Sequence, residues 1–161
     1  MGRRYLDTQV PSEGAVCLVQ GMLCRAGIPT FEAPPFRAVY DLIAINPNTK
    51  KSATIQVKSR FQTDCDRSFV VNKFGADFFA FVFLNMGNWY SHEPYVDIRE
   101  PEFYIVPKAE VERTVDTRKK MPKFFIKHTD TSFGKFRDAW HLIAQSLDID
   151  IETLVRGDST V

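Results

Sequence analysis

Apolar residues recur along this chain at two different periods. Across residues 8–26, Ala15, Leu18, Met22 and Ala26 fall at helical spacing, and Val16, Val19 and Leu23 widen the stripe. Pro11 fits such a helix only in its first turn. Gly27 then stands where a helix closes, and Pro29 cannot continue it. Strand signals follow. Residues 30–33 form a short candidate bounded by Pro34 and Pro35, and residues 39–45 are rich in aliphatic and β-branched side chains. Residues 52–59 alternate, with Ala53, Ile55 and Val57 on one face and Thr54, Gln56 and Lys58 on the other. The Asn46-Pro47-Asn48-Thr49 turn between them makes a β-hairpin.

Further on, residues 60–72 are polar, with a short strand predicted at 69–71. The seven-residue apolar run 78–84 reads as a central strand buried on both faces. Residues 86–101 have no regular pattern, and 103–106 give one more strand. Pro107 opens a predicted helix to about residue 115, with Pro at its first position and Glu110 and Glu112 near its start. Residues 123–127 are a short strand or a loop. A last helix is predicted to about residue 147, capped by Asp130 or Thr131, with Phe133, Phe136, Trp140, Ile143 and Leu147 as its stripe. The order implies an α/β or α+β domain with a mixed central sheet flanked by helices. With 161 residues and no internal repeat or Gly/Ser linker, one domain is expected. Its core would run over about 8–106 and a helical extension over about 107–161.

Composition narrows the function. Lys and Arg number 21 and Asp and Glu 20, so the net charge is +1. That excludes binding to nucleic acid by sequence-wide charge, and leaves basic residues gathered on one face. No apolar stretch approaches the roughly 20 residues of a membrane span. Three cysteines with no metal spacing suggest reduced thiols and an intracellular, cytoplasmic location. Cys17 and Cys24 share a helix face and read as packing. His92, His128 and His141 are scattered, and each reads as a surface histidine. Trp89 and Tyr90 read as packing or an interface. GxGxxG, P-loop and GxSxG patterns are missing, so no nucleotide cofactor is expected.

The chemistry concentrates where polar residues interrupt apolar strands. Asp41 lies between Tyr40 and Leu42, and Gln56 and Lys58 share one strand face. A charge in a half-buried strand is costly unless it is paired, solvated or bound to an ion. A hairpin centred between Asn48 and Thr49 sets Asp41 opposite Gln56, roughly 5 Å apart at Cβ. An acid, an amide carbonyl and a Lys in one cleft suit a hard cation and a phosphate. Glu13, in line with Cys17, Gln20 and Cys24 on the first helix, is the candidate second acid.

In this order, Glu13, Asp41 and then Gln56-Val57-Lys58 resemble the PD-(D/E)XK nuclease superfamily, over roughly residues 12–84. Holliday junction resolvases and group I intron-encoded homing endonucleases of that type look closest. The resemblance implies a restriction-endonuclease-like core and a Mg²⁺- or Mn²⁺-dependent DNA endonuclease. It implies Glu13, Asp41, Gln56 and Lys58 as catalytic residues, with Glu13, Asp41, Gln56 and the Val57 carbonyl as metal ligands. Gln56 departs from the family's Asp or Glu, keeping a carbonyl ligand but removing a charge. Tyr40 departs from the Pro before the Asp. Cutting two strands implies a homodimer or homotetramer. Lys50, Lys51, Ser59, Arg60, Lys119 and Lys120 are the candidate DNA contacts, with residues 50–60 expected around one cleft and the basic 118–127 segment as its wall.

Bland readings stand beside these. Asp41 and Lys58 suit a buried ion pair in an unrelated α+β domain. Glu13 suits a first-turn acid, and Lys50-Lys51 a solvated turn. Gln56 also suits a catalytically inactive nuclease-fold module that binds DNA or protein.

Overall fold

The computed structural model describes residues 8–34, 38–88, 97–116, 118–127 and 131–151. Helix α1 spans Gln9–Arg25. It closes on Gly27, whose φ of 76° is the left-handed conformation glycine adopts without strain. Gly27 N–H donates to the Cys24 carbonyl and Ile28 N–H to that of Leu23, which caps the helix with an apolar contact beyond it. The buried stripe of α1 is Ala15, Val19 and Leu23. Leu18, expected within that stripe, is 41% exposed on the other side.

A five-stranded sheet runs in the order β1-β2-β3-β5-β6. Its strands are β1 (Thr30–Glu32), β2 (Leu42–Ile45), β3 (Ser52–Arg60), β5 (Phe78–Phe83) and β6 (Glu102–Pro107). Only the β3–β5 pairing is parallel, so the sheet is mixed as expected. The chain leaves it between those strands to form β4 (Ser68–Val70), which pairs with β7 (Lys123–Phe125) as a separate two-stranded ribbon. All six residues of β5 are buried, matching its continuous apolar run.

The sheet separates two cores. On one side Ala53, Ile55, Phe78, Ala80, Val82 and Ile105 meet α1 and helix α3 (His141–Ser146). On the other, Phe79, Phe81, Phe83 and Tyr104 meet the ribbon through Phe69 and Phe124, together with helix α2 (Lys108–Thr114). The Phe81 and Phe124 rings stack at 4.6 Å.

Three expectations are corrected here. The strand predicted at 39–45 begins at Leu42. Pro107 ends β6 in an extended conformation and precedes α2 rather than occupying its first helical position. The last predicted helix is two pieces: a 3₁₀ helix at Thr131–Phe136, then α3. Asp138 breaks it at φ 50°, where its N–H donates to the Phe103 carbonyl on β6. Phe133 and Phe136 serve the ribbon-side core, whereas Trp140, Ile143 and Leu147 serve the α1 side. One straight helix cannot reach both faces of the sheet. Asp130, His128, His92, Trp89 and Tyr90 lie outside the described residues.

The hairpin turn is tied to the chain's far end. Buried Asn46 accepts the Asn48 N–H through Oδ1 and donates from Nδ2 to the Leu147 carbonyl, 2.8 Å away. Lys51 pairs with Asp148 beside it.

Candidate functional site

The site grows from the open end of the β2–β3 hairpin. From residues 42 to 45 the register follows the expected pairing, with Leu42 opposite Ile55. Asp41 departs from it. Its N–H reaches the Ile55 carbonyl at 2.9 Å, so two residues stand against one in the manner of a β-bulge. Asp41 therefore does not sit squarely across from Gln56. Its Oδ2 accepts the Val57 N–H at 2.7 Å, and its own carbonyl accepts from Ala33 N–H at 2.8 Å. Three hydrogen bonds thus orient a carboxylate whose Oδ1 has no hydrogen-bond partner among the described residues. In a strand, N–H and C=O of one residue point to the same side. The Val57 carbonyl therefore faces the Asp41 edge, past the last rung of β2.

Gln56 and Lys58 lie on the sheet face away from α1, in register with Phe79 and Phe81 of β5. Gln56 is 8% exposed, and its Oε1 has no hydrogen-bond partner among the described residues. An orphaned buried carbonyl costs about 1–3 kcal/mol. Lys58 is half-buried and forms no direct ion pair among the described residues. Burial lowers its pKa below the ordinary lysine value; the Asp41 carboxylate opposes that shift, and the Lys73 ammonium adds to it. Asp41, Lys58 and Lys73 therefore share one electrostatic neighbourhood. Lys73 carries no sequence signal of its own. It arrives through the loop between β4 and β5, where a Cβ on Gly75 would lie 2.7 Å from that of Val39, two residues before Asp41.

Glu13 stands apart from this group. It is exposed on α1 and accepts from Gln9 Nε2 at 2.8 Å. Three residues further along α1, Val16 lines a recess of about 240 Å³ with Glu32, Tyr40 and Asp41, and Glu13 is not among the residues that line it. The helix line Glu13-Cys17-Gln20-Cys24 does not aim into the cleft as a row. Gln20 bonds the Thr30 carbonyl at 3.0 Å, and Cys17 lines an apolar cleft with Leu84 and Met86. Cys17, Cys24 and Cys65 are free thiols.

Residues 50–60 do not gather around one cleft. Lys50 and Lys51 sit at the hairpin tip, seven or eight residues along β3 from Lys58, roughly 25 Å away at strand rise. Ser59 and Arg60 do lie beside the site, lining a recess of about 220 Å³ with Thr8 and Ser12 of the α1 start. Arg60 pairs with Asp66 at 3.1 Å, and Lys123 of β7 reaches the same carboxylate at 3.4 Å. Lys119 and Lys120 are exposed just before β7. Among the described residues, no group of three or more His, Cys, Asp or Glu side chains is placed to hold a metal ion, and no helix is long and apolar enough to cross a membrane.

This arrangement of a mixed five-stranded sheet between helices is an α+β fold. It is similar to the structure of a bacterial homing endonuclease, I-Ssp6803I, over 96% of this chain and 100% of that one, with a TM-score of 0.56 and 20% identity. No protein-family model matches the chain, and no curated protein does.

Proposed function

We propose that this protein is a divalent-metal-dependent DNA endonuclease of the PD-(D/E)XK type, related in manner to homing endonucleases. One observation carries the reading: a desolvated Lys58 beside a clamped Asp41, with the orphaned Gln56 Oε1 on the same strand. The likeness to a homing endonuclease supports it at the level of fold.

The donors suit Mg²⁺ or Mn²⁺. Asp41 Oδ1, the Val57 carbonyl and Gln56 Oε1 would offer hard oxygen donors with no hydrogen-bond partner among the described residues, and such ions take oxygen donors and fill remaining positions with water and substrate phosphate. Glu13, outside that recess, would join the set only by giving up its Gln9 contact and turning toward Asp41. A bound ion there supplies charge neutralisation at the scissile phosphate and acidifies the attacking water. The chain's own groups do the rest. Asp41 holds its oxygen in place without reorganising, because its other oxygen is fixed on the Val57 N–H. Lys58 Nζ–H donates to the attacking water and opposes the negative charge that builds on the phosphorane. Its weakened hold on a proton suits it to exchange one with that water. Ser59, Arg60, Lys119 and Lys120 contact the phosphate backbone nearby. Lys50 and Lys51 belong to a more distant contact.

The test is cleavage of plasmid and branched DNA with Mg²⁺, run beside Lys58→Ala. Cleavage by the wild type and a loss of 100-fold or more in the variant are expected, the scale of a removed electrostatic catalytic group. Equal cleavage by both sinks the assignment. A two-strand cut needs two sites, so sedimentation on substrate as a homodimer or homotetramer is expected.

A second reading is favoured by the absence of a three-acid group among the described residues. In it the fold binds DNA or protein without cutting. Calorimetry separates the two: an inactive module takes up neither Mg²⁺ nor Mn²⁺.

A further inference from the structure

The β4–β7 ribbon has an inner face and an outer face with opposite chemistry. Inward, Phe69 and Phe124 are buried on β5. Outward, β7 and its continuation present Lys123, Phe125 and Lys127, all exposed. The pairing extends beyond the strands, since Val71 N–H donates to the Pro122 carbonyl and Ile126 N–H to that of Arg67, each at 3.0 Å. The ribbon is therefore five residues long on each side and fixed at both ends.

Its outer strand is the most basic part of the chain. Residues 118–127 contain Arg118, Lys119, Lys120, Lys123 and Lys127 and no acid, in a molecule of net charge +1. Arg118 is paired with Asp116 and Lys123 with Asp66, whereas Lys119, Lys120 and Lys127 form no ion pair among the described residues. Phe125 is 41% exposed, and the Lys127 ammonium lies 5.6 Å from its ring centre. An aromatic ring held out among cations is unusual for a merely solvated strand. It suits a polyanion that also offers apolar surface.

The ribbon also adjoins the candidate site. Lys58 is in register with Phe81 on the neighbouring strand, and Phe81 stacks on Phe124, so the Phe81 side chain links the strand beside Lys58 to the ribbon. Arg60 and Lys123 meet on Asp66.

We propose that this ribbon reads the sequence of duplex DNA, an inference that rests on the nuclease reading. A two-stranded ribbon fits a major groove about 12 Å wide. Lys123 and Lys127, about 13 Å apart along an extended strand, reach phosphates. Phe125 between them meets base edges, where the thymine methyl is the apolar feature. Specificity then comes from the ribbon and cutting from the hairpin next to it.

The experiment uses the full chain, short duplexes of randomised sequence, and Ca²⁺ in place of Mg²⁺ so that selection precedes cutting. Wild-type binding is expected to fall with salt and to enrich particular sequences. In Lys123→Ala/Lys127→Ala the slope of log affinity against log salt should flatten by about 2, and the Arg/Arg double variant should restore it. Phe125→Ala should keep the slope yet lose the enrichment. Replacing thymine by uracil in the enriched duplex should weaken the wild type and leave Phe125→Ala unaffected. Unchanged slopes and unchanged enriched sequences overturn the proposal, as does a wild type that binds no duplex. Cleavage that depends on Lys58 with no ribbon effect leaves the nuclease reading standing and removes this one. Ribbon-dependent selection with no cleavage does the reverse.

Discussion

Lys58 is where opposing forces are most closely balanced. Burial disfavours its charged form, Asp41 supports it, and Lys73 works against it. A lysine whose folded pKa lies below its unfolded value weakens the fold while it is protonated. That cost disappears as pH rises through the window between the lowered value and 10.5. Lys58→Met is therefore expected to raise stability by about 1 kcal/mol at neutral pH while abolishing cleavage, as urea unfolding and a plasmid assay would show. The charge of Lys73 is separable from this. In Lys73→Gln the Lys58 pKa should rise, and in Asp41→Asn it should fall further. Titration by lysine-selective NMR reads both shifts, and no movement in either variant would contradict the shared neighbourhood. Asp41, Gln56 and Lys58 stand out in the sequence as candidates because a polar residue in an apolar strand announces itself. Lys73 does not stand out, because a loop lysine shows its electrostatic neighbours only once the fold has set them beside it.

At the scale of elements, the device that matters is the irregularity at Asp41. An ideal hairpin would have pointed that side chain by alternation alone. The bulge instead turns its carboxylate onto the Val57 N–H. The loop carrying Lys73 braces the same spot, through the close approach of Gly75 to Val39. Gly75→Ala should thus cost about 1–2 kcal/mol and weaken divalent-metal uptake, with Val39→Ala restoring most of both. Additive effects in that double-mutant cycle would show the contact to be incidental. Most elements were readable from periodicity, β5 and the β2–β3 register above all. The final helix was misread because Phe133 to Leu147 keep helical spacing through a break. That break is imposed by β6, whose edge takes the backbone at Asp138, and not by any local propensity.

For the whole molecule, stability is divided between two cores that share β5. Phe81 contributes to the ribbon-side core alone, against Phe69 and Phe124. Phe81→Ala should cost about 3–5 kcal/mol in chemical denaturation. It should also loosen the ribbon from the sheet, seen as faster amide exchange at 67–71 and 123–126 than at 42–45. The near-neutral total charge gave no hint of the local one. Ten residues hold five cations and no acid, and only the ribbon's geometry shows that they flank an exposed ring.

Asn46 adds a timetable to this architecture. Its side chain closes the hairpin turn with one end and holds the Leu147 carbonyl with the other, across 101 residues of chain. The bond from Asn48 is local to the turn, whereas the bond to Leu147 needs a segment made 101 residues later. One polar group of the hairpin turn thus stays without its folded partner until Leu147 has been made and α3 has docked beside it.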